Sequence, residues 1–446
     1  MKLSEQHIFK GYWWLPGNQE DKVAGVLTYT PGERILLELI GGFKSSDNTF
    51  QGFLDGYEKE VPLIYGVDSN AKEITLLTCH SGFSFNFSST FPLVRYTAQL
   101  LVYDKHILGL DEVCHYTAKI RFLELSYWAP PCVIKQRIDY CEDGKNMVSS
   151  SFHIPMMDEK AETICSVSCE NGIQLSIKRN AGFQSEELML KPDIEQYSYL
   201  EIKNSDSGLS ISTVFREMHK FSQFLSLATK RSVQPIVIWL NDPEISQDLR
   251  DGEKYYFPIY ILKPQHPAPK PAKLDRERFL FRNEDVATQL PEMLKKWMSD
   301  TDNLQPIKSH LVDSLVYKPI VGSVDFLQVI QPIEGVWWRF RDDAYRVSHK
   351  VSQRKRTSFN TILTEILESF SDIQSIAMID LDIEAVVDSR NYYSHFVDKS
   401  KKPRTLDGFD LYKQTQKLRV ILLCLVLDLL GLTHEEIGRI LAKQND

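Results

Sequence analysis

The sequence lacks any apolar run long enough to cross a membrane. Its longest such stretch covers residues 420–427, whereas a helix that spans a bilayer needs about 20 apolar residues. The first residues also lack the apolar segment that a secretory signal requires. We therefore expect a cytoplasmic protein that has no membrane as a partner.

Cysteine and glycine patterns that would indicate common cofactor sites are also missing. The chain has seven cysteines, an odd number, and Cys165 and Cys169 have no second pair at metal-ligand spacing. No glycine-rich phosphate loop and no G-x-G-x-x-G segment is present. The sequence thus predicts no disulfide framework, no metal and no nucleotide cofactor.

The chain has no excess of positive charge, because its formal net charge is −8 and its pI is about 5.8. Any contact with RNA must therefore come from a local basic patch. What the chain does contain is 446 residues, of which 43% are hydrophobic and 25% charged. This length and composition predict two or three folded domains with real cores.

The amino-terminal part has the pattern of β-strands. Short alternating apolar runs recur between turn residues, as at 25–29, 35–40, 74–78 and 83–87, which predicts a sandwich or barrel-like arrangement of sheets. Residues 214–228 switch to helical spacing, and residues 233–240 return to a strand pattern.

A proline-rich stretch at 263–273 separates this part from a helical one. We expect an α+β protein with a β-rich domain at 1–262, a linker at 263–274 and an all-α bundle at 275–446. The predicted helices cover about 284–299, 306–317, 323–353, 357–370, 374–388, 391–398 and 408–442. Pro332 and Gly335 are expected to kink or break the third of these.

The segment DSRNYYSHF at 388–396 contains an arginine, an asparagine directly after it, and a histidine four positions further on. Alone, an R-x4-H pair is too short to be specific. The segment resembles the R-x4-6-H signature of HEPN ribonucleases, in which Asn commonly follows Arg. The long apolar helix expected after it, with its leucine-rich 418–432 stretch, also resembles a HEPN bundle.

Three amino-terminal segments strengthen this resemblance. They are GYWWLPGN at 11–18, VAGVLTY at 23–29 and LLELIG at 36–41. They look like the opening of the ApeA amino-terminal domain, which is joined to a HEPN domain in bacterial anti-phage proteins.

The resemblance implies metal-independent RNA cleavage in which the ribose 2′-hydroxyl attacks the adjacent phosphorus. His395 would be the general acid or base, since imidazole exchanges protons near neutral pH. Arg390 would stabilise charge on the phosphorane. Asn391 would orient His395 or the phosphate.

Helix geometry constrains these roles. On a regular helix Asn391 and His395 share a face, while Arg390 lies about 140° around from His395. We therefore expect that one continuous helix cannot present both to one phosphate. Either the motif begins a helix, or the site is shared across a homodimer, as is characteristic of HEPN families. The alternative is that Arg390 pairs with Asp388 or another carboxylate and that His395 caps the bundle.

A basic segment at 337–356 and the loop at 399–404 are candidate contacts for the RNA backbone. Arg339, Arg346 and Lys350 would share one side of a helix, although a solvated helix face explains them equally well. The RNA-binding candidates are Arg339, Arg346, Lys350, Arg354, Lys355, Arg356, Lys401 and Lys402.

Three functions fit the sequence. The first is an anti-phage ribonuclease whose β domain responds to a phage-derived trigger and whose helical domain cuts RNA, tRNA loops above all, to arrest growth. The second is a non-catalytic HEPN module that binds RNA or protein, with a ligand-sensing β domain. The third makes the β domain a carbohydrate- or peptide-binding sandwich and the bundle a dimerisation device.

Overall fold

The computed structural model describes residues 1–43, 59–82, 93–141, 147–153, 161–185, 192–248, 254–264, 274–299, 304–316, 322–351 and 357–444. The chain divides into two compact units. The β unit comprises Met1–Ser126, Pro130–Met218 and Gln234–Leu274, and the helical unit comprises Tyr127–Ala129, His219–Val233 and Asp275–Asp446.

These units differ from the division expected at the proline-rich stretch, because the helical unit also includes Tyr127–Ala129 and His219–Val233 and the β unit extends to Leu274. Residues 219–233 belong to the helical unit, because the aromatic ring of Phe224 packs against Phe281 and Trp297 at centroid distances of 6.1 and 5.9 Å. Most of the stretch itself, 265–273, lies outside the described residues, as does the strand expected at 83–87.

The strands of the β unit confirm a β-rich domain. They are β1 (His7–Trp14), β2 (Val23–Tyr29), β3 (Ile35–Ile40), β4 (Lys59–Asp68), β5 (Glu73–Gly82), β6 (Leu93–Tyr103), β7 (Thr117–Phe122), β8 (Lys135–Tyr140), β9 (Met147–His153), β10 (Glu162–Ser168), β11 (Gln174–Ser185), β12 (Pro192–Lys203), β13 (Pro235–Asp248) and β14 (Lys254–Leu262).

Six of these strands close into an antiparallel barrel in the order β6-β3-β2-β1-β4-β5, because β5 also pairs with β6. The last residues of β6, 101–103, pair with β14 and so join the barrel to a sheet of order β14-β13-β7-β12-β11-β10. Strands β8 and β9 form a separate hairpin. Closure leaves the barrel strands with paired edges. Of the two expected arrangements, a sandwich or a barrel, these six strands adopt the barrel.

Alternating side chains build the barrel core. In β3, Ile35, Leu37 and Leu39 are fully buried, as the period of two in a strand dictates. Trp13 of β1 is also fully buried, and its ring lies where a Cβ on Gly66 would come within 2.3 Å of it. Only glycine at position 66 leaves room for this ring.

The helices begin with α1 (Leu123–Trp128) and α2 (Ile211–Thr229). The remainder are α3 (Leu290–Met298), α4 (Gln305–Val316), α5 (Ser323–Val336), α6 (Asp342–Ser348), α7 (Phe359–Ser369), α8 (Gln374–Ala377), α9 (Ile383–His395), α10 (Gly408–Leu429) and α11 (His434–Ala442). Among the described residues, no helix is both long and apolar enough to cross a membrane.

The helix expected over 323–353 is two helices joined by a π turn at Trp337–Arg341. The interruption lies after Pro332 and Gly335, which are both inside α5. The N–H of Asp342 bonds to the carbonyl of Trp337, five residues back, which is the spacing of a π-helix. Helix α6 ends at Ser348, and Lys350 beyond it has a left-handed backbone with φ of 54°. Arg339 and Lys350 therefore do not lie on one regular helix.

Helix α10 forms the centre of the helical unit and packs against α4 and α5. Most of its second half is buried, including Leu422, Leu425 and Leu427. A buried ion pair of 2.6 Å joins Arg419 of α10 to Asp325 of α5. Helix α9 packs against α5 and α7, and this contact positions the candidate site.

Candidate active site

Helix α9 carries all three residues of the R-x4-H segment. It begins after Asp382, whose side chain accepts a hydrogen bond from the N–H of Ala385 at 3.0 Å, as an N-cap residue does. It ends because Phe396 adopts a left-handed conformation, with φ of 52° and ψ of 36°. His395 is therefore the last helical residue.

Arg390 and His395 lie on one continuous helix and contact each other, and the expected placement of the segment near a helix start is wrong. The Nη1 atom of Arg390 lies 2.7 Å from Nε2 of His395. The long arginine side chain reaches along the helix to the imidazole at its last position. The two helices expected at 374–388 and 391–398 are accordingly a short α8 and a continuous α9.

Arg390 connects three groups of the site. Its Nη1 also donates to Oδ1 of Asn391 at 3.0 Å, and its Nη2 lies 2.8 and 3.0 Å from the two carboxylate oxygens of Glu334. The Arg390 and Glu334 side chains are 16% and 18% exposed, respectively. The half-buried ion pair with Glu334 thus fixes the orientation of the guanidinium through Nη2.

His395 differs from Arg390 because it is exposed to solvent. Since a guanidinium only donates hydrogen bonds, the contact fits the tautomer in which Nε2 of His395 is the acceptor. An accepting imidazole nitrogen at the surface, held beside a fixed cation, has the character of a general base next to an anion-binding group.

Glu334 is a site residue that sequence reasoning missed. It lies on α5, 56 positions before Arg390, so no local motif includes it. A signal was nonetheless present, because α5 is largely apolar and has only two acidic residues, Asp325 and Glu334. A half-buried carboxylate on such a helix requires a partner, and both of these pair with arginines.

The loop after α9 is attached to the helix by polar contacts. Ser389 Oγ accepts a hydrogen bond from the N–H of Leu406 at 2.8 Å, and Tyr393 donates to the carbonyl of Leu406 at 2.9 Å. Burial raises the pKa of Tyr393, and the nearby Asp407 raises it further. Tyr393 therefore stays a neutral hydrogen-bond donor at physiological pH.

The ion pair considered between Arg390 and Asp388 is not formed. Asp388 instead pairs with Lys402 of the loop at 3.1 Å. The alternative in which Arg390 pairs with some carboxylate is partly met by Glu334. It does not account for His395, which lies exposed beside the guanidinium rather than capping the bundle.

Two of the RNA-binding candidates are held in ion pairs within the protein. Arg346 ion-pairs with Asp342, and both side chains are nearly buried. Lys402 is held by Asp388, whereas Arg339, Lys350 and Lys401 are exposed. Arg354, Lys355 and Arg356 lie outside the described residues.

Asp342 forms a second polar cluster in this unit. It accepts hydrogen bonds from Nε1 of Trp337 and Oγ1 of Thr357, each at 3.1 Å. Burial alone would raise the pKa of Asp342, but the hydrogen bonds from Arg346, Thr357 and Trp337 outweigh burial and hold the pKa below its usual value. In the part of the chain that the structure describes, no group of three His, Cys, Asp or Glu residues could hold a metal ion.

Two models of known protein families match the sequence of this chain. A family model described as ApeA N-terminal domain 1 matches residues 8–297, and one described as Apea-like HEPN matches residues 327–436. No curated protein and no solved structure matches the chain. The family implies an anti-phage nuclease role, and HEPN domains commonly bind RNA and dimerise. The first match alone covers more than half of the 446 residues, so the chain belongs to the ApeA-like proteins that carry a C-terminal HEPN domain.

Proposed function

We propose that the chain is an anti-phage endoribonuclease whose helical unit cleaves RNA without a metal, at a site formed by Arg390, Asn391 and His395. The observation that supports this proposal is the 2.7 Å contact between Nη1 of Arg390 and Nε2 of the exposed His395. In our proposal, one ribose-phosphate unit would contact both the imidazole nitrogen and this permanent positive charge.

The cleavage step requires four events. His395 Nε2 accepts the proton of the 2′-hydroxyl, the O2′–P bond forms, the P–O5′ bond breaks, and the departing O5′ takes up a proton. The products are a 2′,3′-cyclic phosphate and a free 5′-hydroxyl. As negative charge increases on the phosphorane, the Arg390 N–H groups that face His395 turn to the phosphate oxygens.

Glu334 positions Arg390 in this scheme. Its two oxygens hold Nη2, so the guanidinium keeps its orientation while Nη1 exchanges its imidazole contact for a phosphate contact. Asn391 Oδ1 accepts from the same Nη1 and limits its rotation. Both residues reduce the reorganisation that catalysis would otherwise require.

Substrate and assembly follow from the same chemistry. In-line attack needs a flexible ribose, which single-stranded loops provide, so we propose tRNA loops as substrates and growth arrest as the outcome in the cytoplasm. The exposed Arg339, Lys350 and Lys401 would contact backbone phosphates. A homodimer with both His395 side chains facing one cleft would supply one base and one acid to each cleavage.

The half-buried Arg390–Glu334 ion pair also supports a second function. An arginine that is already neutralised suits a non-catalytic module that binds RNA or protein, in which the pair serves stability. The two functions differ in what His395 contributes, since an exposed histidine has little effect on stability.

The test is cleavage of purified tRNA by the full-length protein, with analysis of the RNA ends. The His395→Ala variant should cleave about 10²- to 10⁴-fold more slowly, the usual contribution of general acid–base catalysis. His434 is the matched control, because it is a histidine of α11 that pairs with Asp372 at 2.8 Å. The His434→Ala variant should cleave at the wild-type rate.

Products with 2′,3′-cyclic phosphate and 5′-hydroxyl ends, formed in the presence of a chelator, would support the proposal. Equal cleavage by the His395→Ala variant would contradict the catalytic assignment, and 5′-phosphate ends would contradict the mechanism. RNA binding without cleavage would favour the non-catalytic module.

A further inference from the structure

The β unit contains a cavity of about 570 Å³ that the cleavage scheme does not use. Its described lining residues all belong to the β unit. They come from β5, β6 and α2 and from three connecting segments, which precede β3, follow β6 and follow β14. This volume is within the usual range for small-molecule sites.

Three basic side chains line this cavity. Arg34 precedes β3, His80 lies on β5, and Lys263 follows β14. None of the described lining residues is a carboxylate. The electrostatic potential inside therefore favours an anion.

Lys263 is the most informative of the three. Its ammonium group lies 5.3 Å from the ring centroid of Phe215, and burial lowers its pKa. Among the described residues, its ammonium group has no carboxylate partner. A desolvated cation beside an aromatic ring gains most from a ligand that combines a negative charge with a planar group.

The remaining walls fit such a ligand. Thr78, Thr97 and Gln99 provide neutral polar groups on adjacent strands, while Leu100, Leu110 and Pro264 provide apolar surface. His80 pairs with Thr97 across β5 and β6, so these polar groups lie side by side. A few polar groups within apolar walls is the usual composition of a binding pocket.

Backbone strain occurs at the same place. Thr78 has φ of 52°, which a β-branched residue rarely adopts because its side chain then collides with the backbone. Backbone strain of this kind clusters at active sites and ligand-binding sites. It is therefore a second observation that coincides with the cavity.

From these features we infer that this cavity of the β unit binds a small organic anion with a planar body, of the nucleoside monophosphate class. The phosphate would contact Lys263, Arg34 and His80, and the base would lie against Phe215 and the apolar wall. This inference does not depend on RNA cleavage, because it concerns binding to a different unit.

The test is calorimetric titration of the full-length protein with 5′-AMP and 5′-UMP, with inorganic phosphate and adenosine as partial probes. We expect saturable binding of a nucleotide with a Kd below about 1 mM. Phosphate and adenosine should each bind more weakly, since each provides only half of the contacts.

Two cavity variants and one control locate the site. Lys263→Met and Arg34→Gln should each weaken nucleotide binding about 10- to 100-fold, as expected for lost charge-assisted hydrogen bonds. Lys10→Met should have no effect, because Lys10 lies exposed on β1. Arg34 is exposed, so its substitution tests the site even if Lys263→Met does not fold.

Three outcomes would overturn the inference. The first is no saturable nucleotide binding at millimolar concentration. The second is wild-type binding by both cavity variants. The third is equally tight binding of adenosine and 5′-AMP, which would show that the positive charges do not recognise the ligand.

Discussion

Two arginine–carboxylate pairs of the helical unit have similar burial but different surroundings. Arg346 and Asp342 are 11% and 12% exposed, and Arg390 and Glu334 are 16% and 18% exposed. Asp342 also accepts from Trp337 and Thr357. Arg390 instead extends to Asn391 and an exposed imidazole.

The difference shows that burial of an ion pair does not by itself indicate its role. We call the Asp342 cluster closed, because its described members are buried or nearly buried. They connect the π turn to the residues before α7. The Arg390 cluster is open, because one of its members faces water. We expect changes to the closed cluster to affect stability and changes to the open cluster to affect turnover.

The largest expected effect is on stability, in Asp342→Ala. Removing this carboxylate leaves Arg346 nearly buried without its partner and deprives Trp337 and Thr357 of an acceptor. The free energy of unfolding should fall by about 3–5 kcal/mol, as for other broken buried pairs. Chemical denaturation followed by circular dichroism measures it.

The neighbouring Asp343 is the control, because it is exposed. Asp343→Ala should change the free energy of unfolding by less than about 0.5 kcal/mol. If both variants lost the same stability, the Asp342 cluster would not be the closed structural element described above.

The second largest effect is expected on the rate of RNA cleavage, in the Arg390→Lys variant. Lysine keeps the charge but lacks the planar fork that contacts Glu334, Asn391 and His395 together. Turnover should fall about 10²- to 10³-fold, the usual loss for a removed transition-state donor. Single-turnover cleavage of labelled tRNA measures it.

Arg346→Lys is the matched variant in the closed cluster. It should lower thermal stability and leave turnover of the folded protein unchanged. A loss of turnover as large as that of Arg390→Lys would place Arg346 in the cleavage or RNA-binding site and erase the contrast between the two clusters.

A smaller effect is expected for Glu334→Gln, because the amide keeps the shape but loses the charge that fixes Arg390. We expect kcat to fall about tenfold with KM almost unchanged, since Glu334 acts on Arg390 and does not contact the substrate. Steady-state kinetics separates the two parameters.

Glu384→Gln is the control, because Glu384 pairs with Arg404 at the surface of the same region. It should alter neither parameter. A rise in KM without a change in kcat for Glu334→Gln would mean that the residue supports substrate binding rather than the orientation of Arg390.

The smallest effect is a pH dependence of stability. The pKa of Asp342 is lower in the folded protein than the value of about 3.9 in an unfolded chain. The stability from this difference is therefore fully present above about pH 4 and is lost as pH falls towards the folded pKa.

Denaturation curves of the wild type and Asp342→Asn between pH 7 and pH 3 measure this dependence. The stability difference between them should be constant near neutrality and shrink below about pH 4. A difference that stays constant to pH 3 would contradict the lowered pKa.

Much of the fold could be predicted from local sequence. Alternation at 35–40 predicted β3, and the two-domain α+β organisation followed from where that alternation gave way to helical spacing. Closure of the barrel could not be predicted, because the pairing of β5 with β6 depends on register between whole strands. The π turn was missed because it involves a single extra residue in a helical pattern.

The candidate site was predicted in part. Arg390, Asn391 and His395 were named from the resemblance to the HEPN signature. The contact between Arg390 and His395 was not predicted, because regular helix positions ignore the reach of an arginine side chain. Glu334 was missed because its contact is not local. Arg346 was assigned to an RNA surface, although an aspartate four positions before it already indicated a helical ion pair.

The π turn at Trp337–Arg341 determines which changes of length this part of the chain can tolerate. Deleting one residue there would restore a regular α-helix and rotate everything after it by about 100°. Arg341 would then lose Asp428, which lies 2.8 Å away, and Asp342 would leave its donors. Substitutions in these five residues should thus be easier to accommodate than a single deletion, which shifts the register of all the contacts that follow.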